Sequence, residues 1–150
     1  MASTQKHTAR SILEKFYDEE RKYMSAKPED RDFSGIASVL APDYVLEQTS
    51  ALPYAGTFHG PDGLQDWARR MADYFDIVDV QAPDIFEKEG SNQIVILSNA
   101  HFRVRKTGED LYYPLCQAVT VDLEKGVMTS MRPFYWDVHD LNRAVGYKPE

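Results

Sequence analysis

The chain has one cysteine in 150 residues, which excludes an internal disulfide and any zinc site built on thiolates. A lone thiol points to a reducing compartment, the cytosol. Cys116 lies in a strand-like run without an identifiable activating partner, and it is expected to be buried and inert. No run approaches the ~20 apolar residues of a membrane span, and the N-terminal MASTQKHTARS lacks the apolar core of a signal peptide. Positive charge is in deficit: 17 Lys and Arg against 24 Asp and Glu give a formal charge of −7. Without a basic cluster, such a chain is a poor partner for nucleic acid. The four histidines form no HxH or HxxxH pair, so no metal site is expected. No Gly-rich phosphate loop or nucleotide fingerprint occurs, and no cofactor is expected.

What is there is the composition of one soluble domain covering residues 1–150: 43% apolar and 27% charged residues, at a length that buries roughly 70% of the unfolded chain's surface. Residues 7 to 24 read as an amphipathic helix, with Ile12, Leu13, Phe16, Tyr17, Tyr23 and Met24 near one stripe. A second helix is predicted from about Phe33 to Leu40, with Ser34 as a candidate cap, ending before Pro42. Tyr44 to Thr49 alternates as a short strand. After the turn-rich SALPYAGTFHGPDG, Pro61 and Asp62 start a third helix carrying Leu64, Trp67, Ala68, Met71 and Tyr74. From Phe75 the pattern turns to β: IVDVQAPDIFEKEG as a strand or hairpin, then strands over Gln93–Arg105 and Leu111–Asp122, separated by turns at 106–110 and 124–126. Helices first and a meander afterwards predict an α+β domain, a curved antiparallel sheet wrapped around three N-terminal helices with room for a small apolar ligand between them.

The stretch from Gly126 to Gly146, GVMTSMRPFYWDVHDLNRAVG, closes the series. Pro133 interrupts its alternation and predicts a bulge, after which Phe134, Tyr135 and Trp136 precede Asp137. A carboxyl held against aromatic rings loses solvation and gains pKa, as a general acid or base near neutral pH requires. Equally, Asp137 at that place can N-cap the helix that follows.

The element order, with DFSGIASVLAPDYVLEQ at 32–48, FHGPDGLQDWARRM and GVMTSMRPFYWD, resembles the cone-shaped α+β barrels related to nuclear transport factor 2, and within them the ketosteroid isomerases and SnoaL-like polyketide cyclases. In SnoaL-like cyclases the acid/base is an aspartate on the last strand, nine residues before a glycine; Asp137 and Gly146 match, and the resemblance implies a catalytic Asp137. The isomerase tyrosine on the first helix corresponds to Tyr17, its base to Gln48 with Glu47 alongside, and its protonated aspartate to Gln117. Amides at both acid positions argue against steroid-type isomerisation, though Gln117 can still donate to an enolate oxygen.

Period two sets Tyr113, Leu115, Gln117 and Val119 on one face, so Tyr113 is either a substrate hydrogen-bonder or a core tyrosine with its hydroxyl at the rim. Glu47 is a second candidate proton acceptor, but only one of Glu47 and Gln48 can face inward. Gln48 and Tyr135 complete the expected substrate contacts, and Arg132 either pairs with Glu47 or a substrate carboxylate, or is solvated. His59 falls in a local turn, and His139 lies just past Asp137 on the terminal segment. His101, with Asn99, Arg103 and Arg105, is expected on the outer face, where His101 and Arg103 would meet a second copy in a homodimer. The implied function is a cofactor-independent cytoplasmic cyclase or isomerase acting on a hydrophobic polycyclic or polyketide-derived carbonyl compound. The alternatives are a dehydratase of the same fold and a non-catalytic binding or dimerisation module.

Overall fold

Thr8 and Ser11 open the first helix reciprocally: the Thr8 hydroxyl accepts from the Ser11 amide at 3.0 Å and the Ser11 hydroxyl accepts from the Thr8 amide at 2.9 Å. That capping box satisfies two otherwise unpaired donors. Helix α1 then runs Ala9–Ser25 in the computed structural model, which describes residues 7–149. Its predicted stripe is buried, and Glu20 is buried with it. A 3-10 turn, Pro28–Asp30, leads to α2, Ser34–Ala37.

Here the structure departs from the sequence reading. Helix α2 is a single turn rather than a helix reaching Leu40, because strand β1 already spans Leu40–Gln48. Ser34 does not cap it; the Asp32 carboxylate accepts from the Ser34 amide at 2.9 Å instead. Pro42 lies within β1, where the pairing register slips between Leu40 and Val45. A bulge tolerates a residue without an N–H, so this proline marks a bent strand and not a helix end.

Strand β2, Gly56–His59, pairs with β1 and feeds α3, Gly60–Tyr74. Gly60 sits at φ +68, and a Cβ there would lie 3.1 Å from the Pro42 carbonyl. Both the left-handed backbone and the close approach require glycine. The remaining elements are β3 (Phe75–Glu87), β4 (Gln93–Val104), β5 (Asp110–Asp122), β6 (Val127–Tyr135) and α4 (Val138–Val145). Strand β3 is one strand and not a hairpin. It bends at a register break between Gln81 and Asp84, where Ala82 adopts φ 48.

The six strands form one curved sheet in the order β2-β1-β6-β5-β4-β3. Every neighbouring pair is antiparallel except β1 and β6, which run parallel. Helix α1 lies across β3 and α3 across β1 and β2 on the concave side. Alternation turns Ile94, Ile96, Ala100, Phe102 and Val104 of β4 inward, together with Tyr113, Leu115, Gln117 and Val119 of β5. Arg105 is not on the outer face with His101. Beyond the end of β4 its guanidinium donates to the carbonyls of Met24 (2.9 Å), Ala72 (2.8 Å) and Phe75 (3.3 Å), joining the C-terminal ends of α1 and α3. No helix among the described residues is long and apolar enough to cross a membrane.

Candidate functional site

Inside the cone the sheet and helices enclose a small cavity whose polar lining comes from Glu20 of α1, Gln48 at the end of β1, Trp67 of α3, Gln117 of β5 and Tyr135 of β6. Each points inward by the period of its element: Glu20 falls three residues after Tyr17 on the α1 stripe, and Gln48 shares its strand face with Tyr44 and Leu46.

Glu20 is 6% exposed and makes no hydrogen bond or ion pair to any described residue. Burial pushes its carboxyl up to about 8, an effect that Asp79 reinforces and Arg21 only partly offsets. The Arg21 guanidinium is shared between Asp18 and Asp79. Near neutral pH, Glu20 is therefore mainly a carboxylic acid, able to donate a proton and to take one back. Beside it the Tyr17 hydroxyl donates to Gln117 Oε1 at 2.5 Å, and Gln117 Nε2 approaches Met131 Sδ at 3.4 Å. Burial, and secondarily the neighbouring Glu20, holds the Tyr17 phenol well above its ordinary range. The Tyr54 hydroxyl donates to that of Tyr135 at 2.9 Å.

Three buried polar atoms around this centre have no hydrogen-bond partner among the described residues: Tyr44 Oη, Gln48 Oε1 and Trp67 Nε1. Leaving such an atom unpaired costs about 1–3 kcal/mol. The cavity measures about 20 Å³. That holds a single water-sized group, against the ~300–1,000 Å³ of an ordinary ligand pocket. Any larger occupant requires Met71, Met131 or Tyr135, all in its wall, to move.

A second polar cluster lies at the start of α4. Asp137 is its N-cap, its carboxylate accepting from the Asp140 amide at 2.9 Å. Asp140 in turn accepts from the Tyr113 hydroxyl and from Arg143, which also binds Glu109 at 2.8 Å. Hydrogen bonds from Arg143 and Tyr113 hold the Asp140 carboxyl below its usual range. Loop 49–55 is fastened to α4 by Asn142, whose amide donates to the Ala51 carbonyl at 2.8 Å.

The structure thus brings together Tyr17, Gln48, Gln117 and Tyr135 of the residues singled out from the sequence. Tyr113 faces inward, but its hydroxyl is tied to Asp140 at the rim. Asp137 is outside the cavity lining, at the helix cap. Glu47 is exposed, paired with Arg132 at 2.8 Å, because period two gives the inward place to Gln48. Cys116 is half-buried rather than buried, in an outer-face groove with Leu97, Phe134 and Trp136. The sequence reading overlooked Glu20 and the indole of Trp67. The signal for Glu20 was present: four residues after Phe16 and three after Tyr17, it is a charge on the apolar stripe.

Residues 21–131 match the family model of the SnoaL-like domain. No curated protein is significantly similar to the chain in sequence. Among solved structures, an NTF2-like protein of unknown function from Burkholderia pseudomallei superposes with a TM-score of 0.71 at 20% identity, over 91% of this chain and 95% of that one. TerC co-crystallised with polyporic acid gives 0.71 at 18% identity, over 91% and 97%. A protein from Xanthomonas campestris for which a polyketide cyclase activity has only been proposed gives 0.70 at 14%, over 91% and 96%. At these identities the likeness is one of fold.

Proposed function

The chain belongs to the SnoaL-like domain family, and on that premise we propose that it is a cofactor-independent acid–base catalyst acting on a small polycyclic or polyketide-derived carbonyl compound. The observation that carries this reading is the Glu20 carboxyl, buried in the cone without an ion pair and raised to about 8. A neutral carboxyl donates its proton to the substrate carbonyl oxygen while its second oxygen accepts the proton leaving the adjacent carbon, which gives the enol and returns Glu20 to its neutral form; the reverse transfer collapses the enol. Tyr17, held by Gln117, orients the same region. This acid stands on α1, so it substitutes for the acids that the isomerase-like positions Gln48 and Gln117 lack. Cyclisation and isomerisation both pass through such an enol, and loss of water from a hydroxyketone is the alternative outcome of the same proton transfer. A cytoplasmic setting agrees with the single free thiol.

The test is turnover of a panel of polycyclic carbonyl compounds, including polyporic acid, with which TerC was co-crystallised. Glu20→Gln should lower turnover by about 10²–10⁴-fold, the usual worth of a general acid or base, with binding retained. Unchanged turnover in that variant would remove Glu20 from the mechanism and return Asp137, at the α4 cap, to first place.

The closed cavity of about 20 Å³ favours a second reading, a binding or dimerisation module without chemistry. Binding of a panel member with no conversion by the wild-type chain would select it.

A further inference from the structure

We propose that Trp67 and Gln48 form a subsite for a hydroxyl group, so that the ligand of this cavity is a hydroxylated carbonyl compound and not a bare ketone. The inference rests on the interior cavity being the ligand site, as proposed above, and adds which functional group it reads. Trp67 is 4% exposed and Gln48 is 7% exposed, and both line the cavity that holds Glu20. Trp67 Nε1 and Gln48 Oε1 have no partner among the described residues.

The two atoms have opposite requirements. An indole N–H only donates, and an amide oxygen only accepts. The Gln48 side chain lies near the Tyr135 hydroxyl, an influence that works against the burial raising the Tyr135 phenol, and its Oε1 is the end without a partner among the described residues. A ketone oxygen satisfies Trp67 and leaves Gln48 unpaired; an ammonium group satisfies Gln48 and leaves Trp67 unpaired. A hydroxyl does both from one oxygen, accepting from the indole and donating to the amide oxygen. The cavity, about 20 Å³, has the size of one such oxygen. The rest of the ligand enters only as Met71 or Met131 of the wall moves aside, and its carbonyl oxygen then meets Glu20 and Tyr17.

A site built to hydrogen-bond a hydroxyl discriminates strongly against an analogue lacking it, because its polar atoms stay unpaired. The probes are the hydroxytetralone isomers, their methyl ethers and parent tetralone, with Kd measured by calorimetry. At least one hydroxytetralone should bind the wild-type chain about 10-fold or more tighter than its ether and the parent. Trp67→Phe and Gln48→Met should each erase that preference while leaving the Kd of the parent ketone within about 2-fold, an expectation of the same argument. Using two variants guards against one of them misfolding.

Equal binding of phenol, ether and ketone, or no binding of any hydroxytetralone, would overturn the proposal. So would a water bridging Trp67 and Gln48 that stays in place in a crystal structure with the probe bound. Glu20→Gln separates this idea from the catalytic one. It should lower turnover by about 10²–10⁴-fold and keep the hydroxyl preference, whereas failure of the subsite alone leaves the Glu20 effect on turnover intact.

Discussion

Folding around Glu20 takes up a proton, since its carboxyl moves from an ordinary 4.5 to about 8 on burial. Below about pH 4.5 the group is neutral in both states. Between about 4.5 and 8 the unfolded chain has lost the proton and the folded chain keeps it, so stability falls as pH rises through this window and levels off above it. Glu20→Gln, neutral at every pH, should remove that component. Urea midpoints at about pH 5 and pH 8 should then differ less in the variant than in the wild type, and an undiminished difference would show that Glu20 ionises normally. Asp137 separates by chemistry instead. As the α4 cap, it tolerates Asn, which accepts the Asp140 amide equally well, so Asp137→Asn should leave stability and activity nearly unchanged. Asp137→Ala should cost about 1 kcal/mol in denaturant unfolding. Loss of turnover in a stable Asn variant would instead assign it the proton.

At the level of elements, the sequence was most legible where period and punctuation agreed. The stripes of α1 and α3 and the alternation of β4 and β5 each predicted the buried face, whereas parity allowed only one of Glu47 and Gln48 inside without saying which, and the structure gives that place to Gln48. Sequence pattern failed where one residue type has two meanings. Pro42 ends helices and also occupies bulges, and only the pairing of β1 with β6 decides between them. Glu20 was passed over, although its spacing places it on the apolar stripe. Arg105 was assigned to the β4 outer face because alternation was continued one residue past the strand's end. Its actual role yields a prediction at this scale. One cation holds the last carbonyls of two helices, where the helix dipoles favour positive charge. Arg105→Ala should therefore destabilise the chain by about 2–3 kcal/mol, as hydrogen bonds to a charged group are worth, and Arg105→Lys should recover only part of it. A thermal unfolding series reads both.

For the whole molecule, the convex face of the sheet differs from the polar surface that β4 alone indicated. His101 is engaged within its own chain, bonded to Asp110 at 2.8 Å and stacked on Tyr112, and Arg103 grips Asp76 through two nitrogens. What this face leaves open is apolar. Leu97 and Phe134 lie on either side of Cys116 in a row across three strands, and Phe86, Val95, Tyr112 and Trp136 are exposed with them, Trp136 at 76%. Such a contiguous patch is the property of an interface, and a two-fold pairing of two copies through it is the expected assembly. Sedimentation should give twice the 17.2 kDa chain mass, and Leu97→Glu with Phe134→Glu should give folded monomers; a monomeric wild-type chain at micromolar concentration would count against it. The parallel pairing of β1 with β6 has its own consequence for how the cell makes this protein. On the ribosome β1 is finished early, yet one of its two edges can close only when the final strand has been synthesised. Until then a nascent chain carries an open strand edge with an apolar face, a surface prone to mispairing. The sheet therefore completes only once β6 has emerged, and the interval before it is where chaperone protection matters most.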